Sequence, residues 1–249
     1  MGQEWMVGKN TVMEILESGR SIEKIYLLEN LNPSLAKKIQ AMAKKANATV
    51  QRVPKKKLDQ LVENSNHQGI AALVSAYEYA SLEQLFAIGE ERNENPFFIL
   101  LDEIEDPHNL GSILRTADAT GAHGVIIPKR RAVGLTATVA KTSVGAIEHI
   151  PVVRVTNIVQ TIEELKARNV WVVGTEAEAT EDYRQLDGSL PLALVIGNEG
   201  KGMSRLVKKN CDWTVSLPMK GRVSSLNASV AASILMYEIY RKRYSIGES

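Results

Sequence analysis

The chain has 249 residues, 44% hydrophobic and 24% charged, the balance of an ordinary globular protein. No apolar run approaches the ~18 residues that cross a bilayer, the opening Met1-Gly2-Gln3-Glu4-Trp5 has no charged leader before an apolar stretch, and the single cysteine, Cys211, excludes an internal disulfide and a cysteine-rich zinc site. A cytoplasmic protein without a membrane segment is expected. The net charge of +1 divides into +3 over residues 1–78, −3 over 79–95 and +1 over 96–249, so contact with RNA would have to rest on local patches.

The elements alternate from the start. Thr11–Ser18 is apolar at helical spacing, with Gly19 as a stop. Lys24–Leu28 reads as a strand. Pro33 opens a helix reaching Asn47, with Leu35, Ile39, Met42 and Ala43 on one face. Thr49–Val53 is a second strand, Pro54 to Glu63 a short helix, and Gly69–Tyr77 a third strand. Residues 1–78 therefore suit a small α/β domain. The acidic stretch 79–95, with Gly89 and a Pro just after it, reads as a linker in which Ser81–Ile88 forms a short helix.

Residues 96–249 repeat strand and helix. Strands are expected at Phe97–Leu101, Gly124–Ile127, Ile150–Val155, Val170–Gly174, Leu192–Ile196 and Trp213–Leu217, with a final helix over Leu226–Tyr244. Short, continuously apolar strands separated by helices imply an α/β fold, a mostly parallel sheet with helices on both faces.

Three motifs stand out in this second domain. Asp102-Glu103-Ile104-Glu105-Asp106-Pro107-His108-Asn109-Leu110-Gly111-Ser112-Ile113-Leu114-Arg115-Thr116-Ala117 follows a strand and opens a helix, where open α/β sheets bind ligands. Taken alone, Asn109 reads as an N-cap and Arg115 as a solvated residue paired with Asp118. Gly197-Asn198-Glu199-Gly200-Lys201-Gly202 follows a buried strand. It is either a tight turn before a helix near Ser204 or a loop whose backbone approaches a ligand, and its spacing is not that of a phosphate loop or a dinucleotide fingerprint. In Leu217-Pro218-Met219 to Ser224-Ser225-Leu226-Asn227-Ala228-Ser229, Ser225 or Asn227 could cap the last helix, whose small face (Ala228, Ser229, Ala231, Ala232, Ser233) suits close packing.

In this order, Asn-x-Gly-x-x-x-Arg, Gly-x-Glu-Gly-x-Gly and Ser-Leu-Asn-x-Ser closely resemble the signature motifs of the SpoU/TrmH branch of the SPOUT superfamily, RNA 2′-O-methyltransferases. Val7-Gly8-Lys9-Asn10-Thr11-Val12 and His67-Gln68-Gly69-Ile70 resemble the substrate-binding domain of the RlmB type, which methylates a guanosine of large-subunit (23S) ribosomal RNA. Ala228 stands where Val is common, a packing difference. The resemblance implies an α/β knot, its C-terminal segment threaded into a trefoil, behind a small α/β RNA-binding domain. It implies S-adenosyl-L-methionine (SAM) held at Thr175, Gly197, Leu217 and Leu226, and a homodimer joined through the C-terminal domain. Catalysis falls to Asn109, Arg115, Glu199, Ser225 and Asn227. Arg115 would act on the ribose hydroxyl, as a base or, since a guanidinium is hard to deprotonate, by fixing hydroxyl and phosphate. No metal is implied, and His67 and His108 are not at ligand spacing.

Lys37-Lys38, Lys55-Lys56-Lys57 and Lys129-Arg130-Arg131 are candidate phosphate contacts, or simply solvated faces. The rival readings are a tRNA ribose methyltransferase, methylation of a different ribosomal RNA loop, and a non-catalytic RNA-binding assembly factor. The intact set Asn109, Arg115, Glu199, Ser225 and Asn227 argues against the last.

Overall fold

A computed structural model describes residues 4–18, 20, 22–46, 48–63, 65–74, 77–223 and 225–247. The expected stop at Gly19, the helix end at Asn47, the tail of the third strand at 75–76 and Ser224 of the third motif lie outside these residues. The chain divides into two compact units, Met1–Glu78 with Leu135–Ala137, and Tyr79–Gly134 with Thr138–Ser249.

In the first unit the elements run β1 (Glu4–Val7), α1 (Lys9–Ser18), β2 (Ile22–Leu28), α2 (Pro33–Lys45), β3 (Thr49–Val53), α3 (Lys55–Leu61) and β4 (Ile70–Val74). The sheet order is β1-β4-β2-β3, with β4 antiparallel to both neighbours and β2 parallel to β3. α2 starts where it does because Asn32 accepts hydrogen bonds from the N–H groups of Ser34 (3.0 Å) and Leu35 (3.3 Å) and Pro33 fits the first turn. It buries Ala36, Ile39 and Ala43, spaced to share one face. One core forms from α1, α2 and β2 around Val12, Ile25, Leu27 and Ile39. A second, smaller cluster gathers Val53, Leu58, Val62 and Ala71.

The second unit begins earlier than composition suggests. The stretch read as a linker is helical over α4 (Leu82–Arg92), opened by a capping box between Ser81 and Gln84. Leu82 and Leu85 are buried in the same core as Phe98, Leu100 and Ile126. A Cβ at Gly124 would lie 2.5 Å from Leu85 Cγ, so Gly124 makes room for this helix. The acidic side chains that made the stretch look like a linker sit on its outward face, among them Glu90 and Glu91.

The unit continues through β5 (Phe97–Leu101), α5 (Pro107–Ala119), β6 (Gly124–Pro128), α6 (Ala137–Ser143), β7 (Val152–Val155), α7 (Ile158–Ala167), β8 (Trp171–Thr175), β9 (Glu181–Asp182), β10 (Leu192–Ile196), α8 (Arg205–Asn210), β11 (Trp213–Ser216) and α9 (Ala228–Arg243). The seven strands are ordered β7-β6-β5-β10-β8-β11-β9, and every recorded pairing is parallel. β5 (Phe-Phe-Ile-Leu-Leu) and β10 (Leu-Ala-Leu-Val-Ile) are buried along their whole length, as central strands covered on both faces must be. The mixed α/β architecture with a mostly parallel sheet agrees with the sequence. α9 packs against α5, where Thr116 Oγ1 lies 3.0 Å from Ser233 Oγ. The small residues Ala228 and Ala232 are buried, which accounts for the small face of that helix.

Candidate cofactor and catalytic site

The C-terminal ends of parallel strands leave backbone groups without ladder partners, and loops there form the usual ligand crevice. Here a cavity of about 430 Å³ opens at the ends of β8, β10 and β11, a size suited to a small-molecule ligand. Residues 175–178, 196–202, 215, 217 and 219 line it, and the start of α9 closes it with Leu226, Ala228, Ala231 and Leu235. Thr175, Gly197, Leu217 and Leu226 all line this one cavity, as do Glu199 and Ser225. Asn109, Arg115 and Asn227 are not among its lining residues.

The glycine loop folds back on itself. Asn198 and Gly202 exchange backbone hydrogen bonds of 3.1 and 2.7 Å. A Cβ on Gly197 would stand 2.4 Å from Gly202 C and Met203 N, so nothing larger fits. Gly202 has φ 66°, in the left-handed region. Asn198 is the organiser, unnoticed in sequence. Its Oδ1 accepts from Gly200 N (2.9 Å) and Lys201 N (3.2 Å), and its Nδ2 donates to Glu103 O (3.2 Å). Asp102, which heads the first motif but had no role assigned from the sequence, is buried, and its Oδ2 accepts from Ser204 N at 2.7 Å. The tight-turn reading and the ligand-loop reading are thus compatible: the turn leads into α8 and lines the cavity.

The first motif is tied to the second. α5 is capped not by Asn109 but by Asp106, whose Oδ1 accepts from His108 N at 2.9 Å. Asp106-Pro107 was the visible cap signature. Asn109 is buried, and its Nδ2 donates to Glu199 Oε2 at 2.9 Å. A buried amide is thereby satisfied by a carboxylate from a loop distant in sequence, and that carboxylate borders the cavity. Arg115, two turns along α5, is exposed and has no ion pair or hydrogen bond among the described residues; the expected partner Asp118 does not engage it. Its neighbour Thr116 makes the hydroxyl contact to Ser233 on α9. Asn227 caps α9, accepting from Ser229 N (3.0 Å), Val230 N (3.4 Å) and Ser229 Oγ (2.6 Å). Ser225 makes no cap.

Other reactive groups are occupied. Burial pushes the Cys211 thiol up to about 12, so it is not a thiolate nucleophile at neutral pH. His67 pairs with Asp59 at 2.8 Å and accepts from Gly69 N. Among the described residues no three His, Cys, Asp or Glu side chains cluster as a metal site, and no helix is long and apolar enough to cross a membrane.

Residues 96–237 match the profile of the SpoU rRNA methylase family, and residues 5–80 that for RNA 2′-O ribose methyltransferase substrate binding. A Bacillus subtilis relative carrying the name TrmH family tRNA/rRNA methyltransferase YacO is 61% identical over 245 residues, 98% of each chain. A relative of the same family name from Staphylococcus haemolyticus is 53% identical, again over 98% of each. Among solved structures, the SpoU methyltransferase AviRb from Streptomyces viridochromogenes in complex with AdoMet (SAM) is similar with a TM-score of 0.62 at 27% identity, covering 97% of this chain and 91% of that one. An AdoMet-bound rRNA methyltransferase from Sinorhizobium meliloti gives 0.61 at 26% identity, covering 98% and 88%. With both halves matched, and with a glycine-built cavity lined by the second and third motifs and tied to the first through Asn109 and Glu199, the chain belongs to the SpoU/TrmH family of SAM-dependent RNA 2′-O-methyltransferases.

Proposed function

We propose that this protein methylates the ribose 2′-hydroxyl of a guanosine in large-subunit ribosomal RNA, in the cytoplasm and as a homodimer. The observation that carries the reading is the Asn109–Glu199 hydrogen bond, which joins the helix bearing Arg115 to the loop bordering the cavity. The cavity suits SAM by its chemistry: Leu217, Leu226, Ala231 and Leu235 offer an apolar wall for an adenine, and Gly197, with no side chain, leaves backbone for polar edges beside Thr175. Bound SAM supplies a methyl group already activated on a sulfonium. The protein must then align a poor nucleophile and provide for its proton. Arg115, exposed and without a partner among the described residues, is available to hold a ribose hydroxyl and its phosphate by two parallel N–H donors. Glu199 and Asn109 brace each other at the border of the cavity. Ser225 borders the cavity, while Asn227 fixes the start of α9 and acts on position.

The knot and the dimer belong to the same proposal. The segment following β11 lines the cavity together with the loops after β8 and β10, which supports threading. Val230, Ile234 and Tyr237, one stripe of α9, are 47%, 37% and 53% exposed, which supports a partner on that helix. The relatives' names span tRNA and rRNA, so the decisive experiment is methyl transfer from labelled SAM to unmodified total RNA, followed by mapping of the modified ribose. A methylated guanosine in large-subunit RNA is expected; label confined to tRNA would overturn the target. Arg115→Lys keeps the charge but loses the fork, so most single-turnover rate should vanish with SAM affinity retained.

A further inference from the structure

The cavity at the ends of β8, β10 and β11 carries charge of both signs beside its apolar wall. Glu176, Glu178, Glu199 and Lys201 line it, and among the described lining residues Lys201 is the one cation. Two of the carboxylates are already engaged. Glu176 pairs with Lys208 at 3.0 Å, and Glu199 accepts from Asn109 at 2.9 Å. Glu178 and Lys201 are exposed, and neither side chain has an ion pair or hydrogen bond among the described residues; they do not pair with each other. Two opposite charges that face one cavity without neutralising each other fit a ligand that itself carries both signs.

The backbone under both charges is held in place. Lys201 N donates to Asn198 Oδ1 at 3.2 Å, inside the hairpin that Asn198 and Gly202 close. Glu178 sits in a turn closed by Ala179 N donating to Glu176 O at 3.3 Å. These loops follow β10 and β8, which are neighbours in the sheet, so they start from strand ends about 4.8 Å apart. SAM matches this layout end for end. Its adenine is flat and suits the apolar wall. Its other end is an amino acid, whose carboxylate and ammonium are both charged near neutral pH. Taking either charge from water without a partner is costly, so that end belongs at the exposed, charged side of the cavity.

We propose that Lys201 and Glu178 anchor the amino-acid end of SAM, Lys201 donating to its carboxylate and Glu178 accepting from its ammonium. This rests on the reading of the cavity as the cofactor site, and not on which nucleotide is methylated. It gives the fifth position of the Gly-x-Glu-Gly-x-Gly loop a task that its glycines cannot perform: telling a ligand with a charged tail from one without.

The test is calorimetric titration of the full chain with three ligands: S-adenosylhomocysteine, which has the whole amino-acid end; its decarboxylated analogue, which keeps only the ammonium; and 5′-methylthioadenosine, which has neither charge. Lys201→Met should weaken S-adenosylhomocysteine about fivefold, the size of a partly exposed ion pair, and leave the other two ligands unchanged. Lys201→Arg should bind like the parent. Glu178→Gln should weaken the first two ligands and spare 5′-methylthioadenosine. Both positions are exposed, so urea midpoints should match the parent. Unchanged S-adenosylhomocysteine affinity in Lys201→Met overturns the anchor, and so does an equal loss for 5′-methylthioadenosine, which would mean that the substitution deforms the loop. A Glu178→Gln variant that binds every ligand like the parent overturns the ammonium half. Gly197→Ala should weaken all three ligands. If it spares all three, the reading of the cavity falls with the anchor, whereas a loss there beside parental binding in Lys201→Met removes the anchor alone.

Discussion

At the scale of single residues, the glycine loop makes a sharp prediction. A methyl group on Gly197 meets backbone at 2.4 Å, and backbone cannot swing aside as a side chain does. At Gly200 the nearest atom is Asn198 Oδ1 at 3.5 Å, an ordinary contact. Gly197→Ala should therefore open the hairpin and cost at least tenfold in SAM affinity, about 1.4 kcal/mol, while Gly200→Ala stays close to the parent; calorimetric titration with SAM distinguishes them. Three glycines that look alike in sequence thus serve a close approach, an open position and a left-handed turn. What was legible was that glycine was needed somewhere in the loop. Which one bears the constraint depends on where Gly202 folds back, and no local pattern encodes that. The same holds for Asn109, whose partner lies ninety residues on.

At the scale of elements, two polar side chains, one half-buried and one fully buried, fasten helices to the sheet. Arg243, at the end of α9, donates to the carbonyls of Gly188 (2.7 Å), Asn95 (2.6 Å), Pro96 (3.2 Å) and Leu190 (2.7 Å), and lies over the Phe97 ring. Arg243→Met would leave those acceptors unpaired, an expected loss of about 3–5 kcal/mol readable by urea denaturation. His123 is fully buried: its Nδ1 accepts from Phe97 N at 3.0 Å, and Nε2 stands 3.1 Å from Glu94 Oε2. Desolvation lowers its pKa from 6.5, opposed by the charge of Glu94 and aided by Arg92 and Arg243, with Tyr244 hydrogen-bonded to Glu94. Below pH 6.5 the unfolded chain then binds the extra proton, so stability rises with pH through that range and is lost as pH falls from 6.5. Denaturation midpoints between about pH 7 and 5 should fall in the parent and fall less in His123→Gln. Strand positions were readable because β5 and β10 are unbroken apolar runs. β1, with Glu4 and Trp5 in four residues, and β9, with two residues, carry no such pattern and exist through pairing with β4 and β11.

At the scale of the whole molecule, the stripe Val230, Ile234 and Tyr237 is apolar surface that a monomer has little reason to expose. Ile234→Glu is expected to yield monomers in sedimentation at micromolar concentration with the far-ultraviolet spectrum unchanged; a parent that already sediments as a monomer would refute the dimer. The two-unit organisation was visible in the change of pattern near residue 78. The fate of 79–95 was not, because the acidic face of α4 hides two leucines whose burial depends on a glycine in a distant strand.

The last helix touches the candidate cofactor cavity with its first turns and grips the opposite rim of the sheet with its final one. Sixteen residues give a rod of about 24 Å, so the second unit contains a lever running from one rim of its sheet to the other. A bulky domain fused stiffly at Ile246 would pry the guanidinium from its ring of carbonyls and blunt SAM uptake at the far rim, whereas a loose glycine-serine tether would leave it undisturbed.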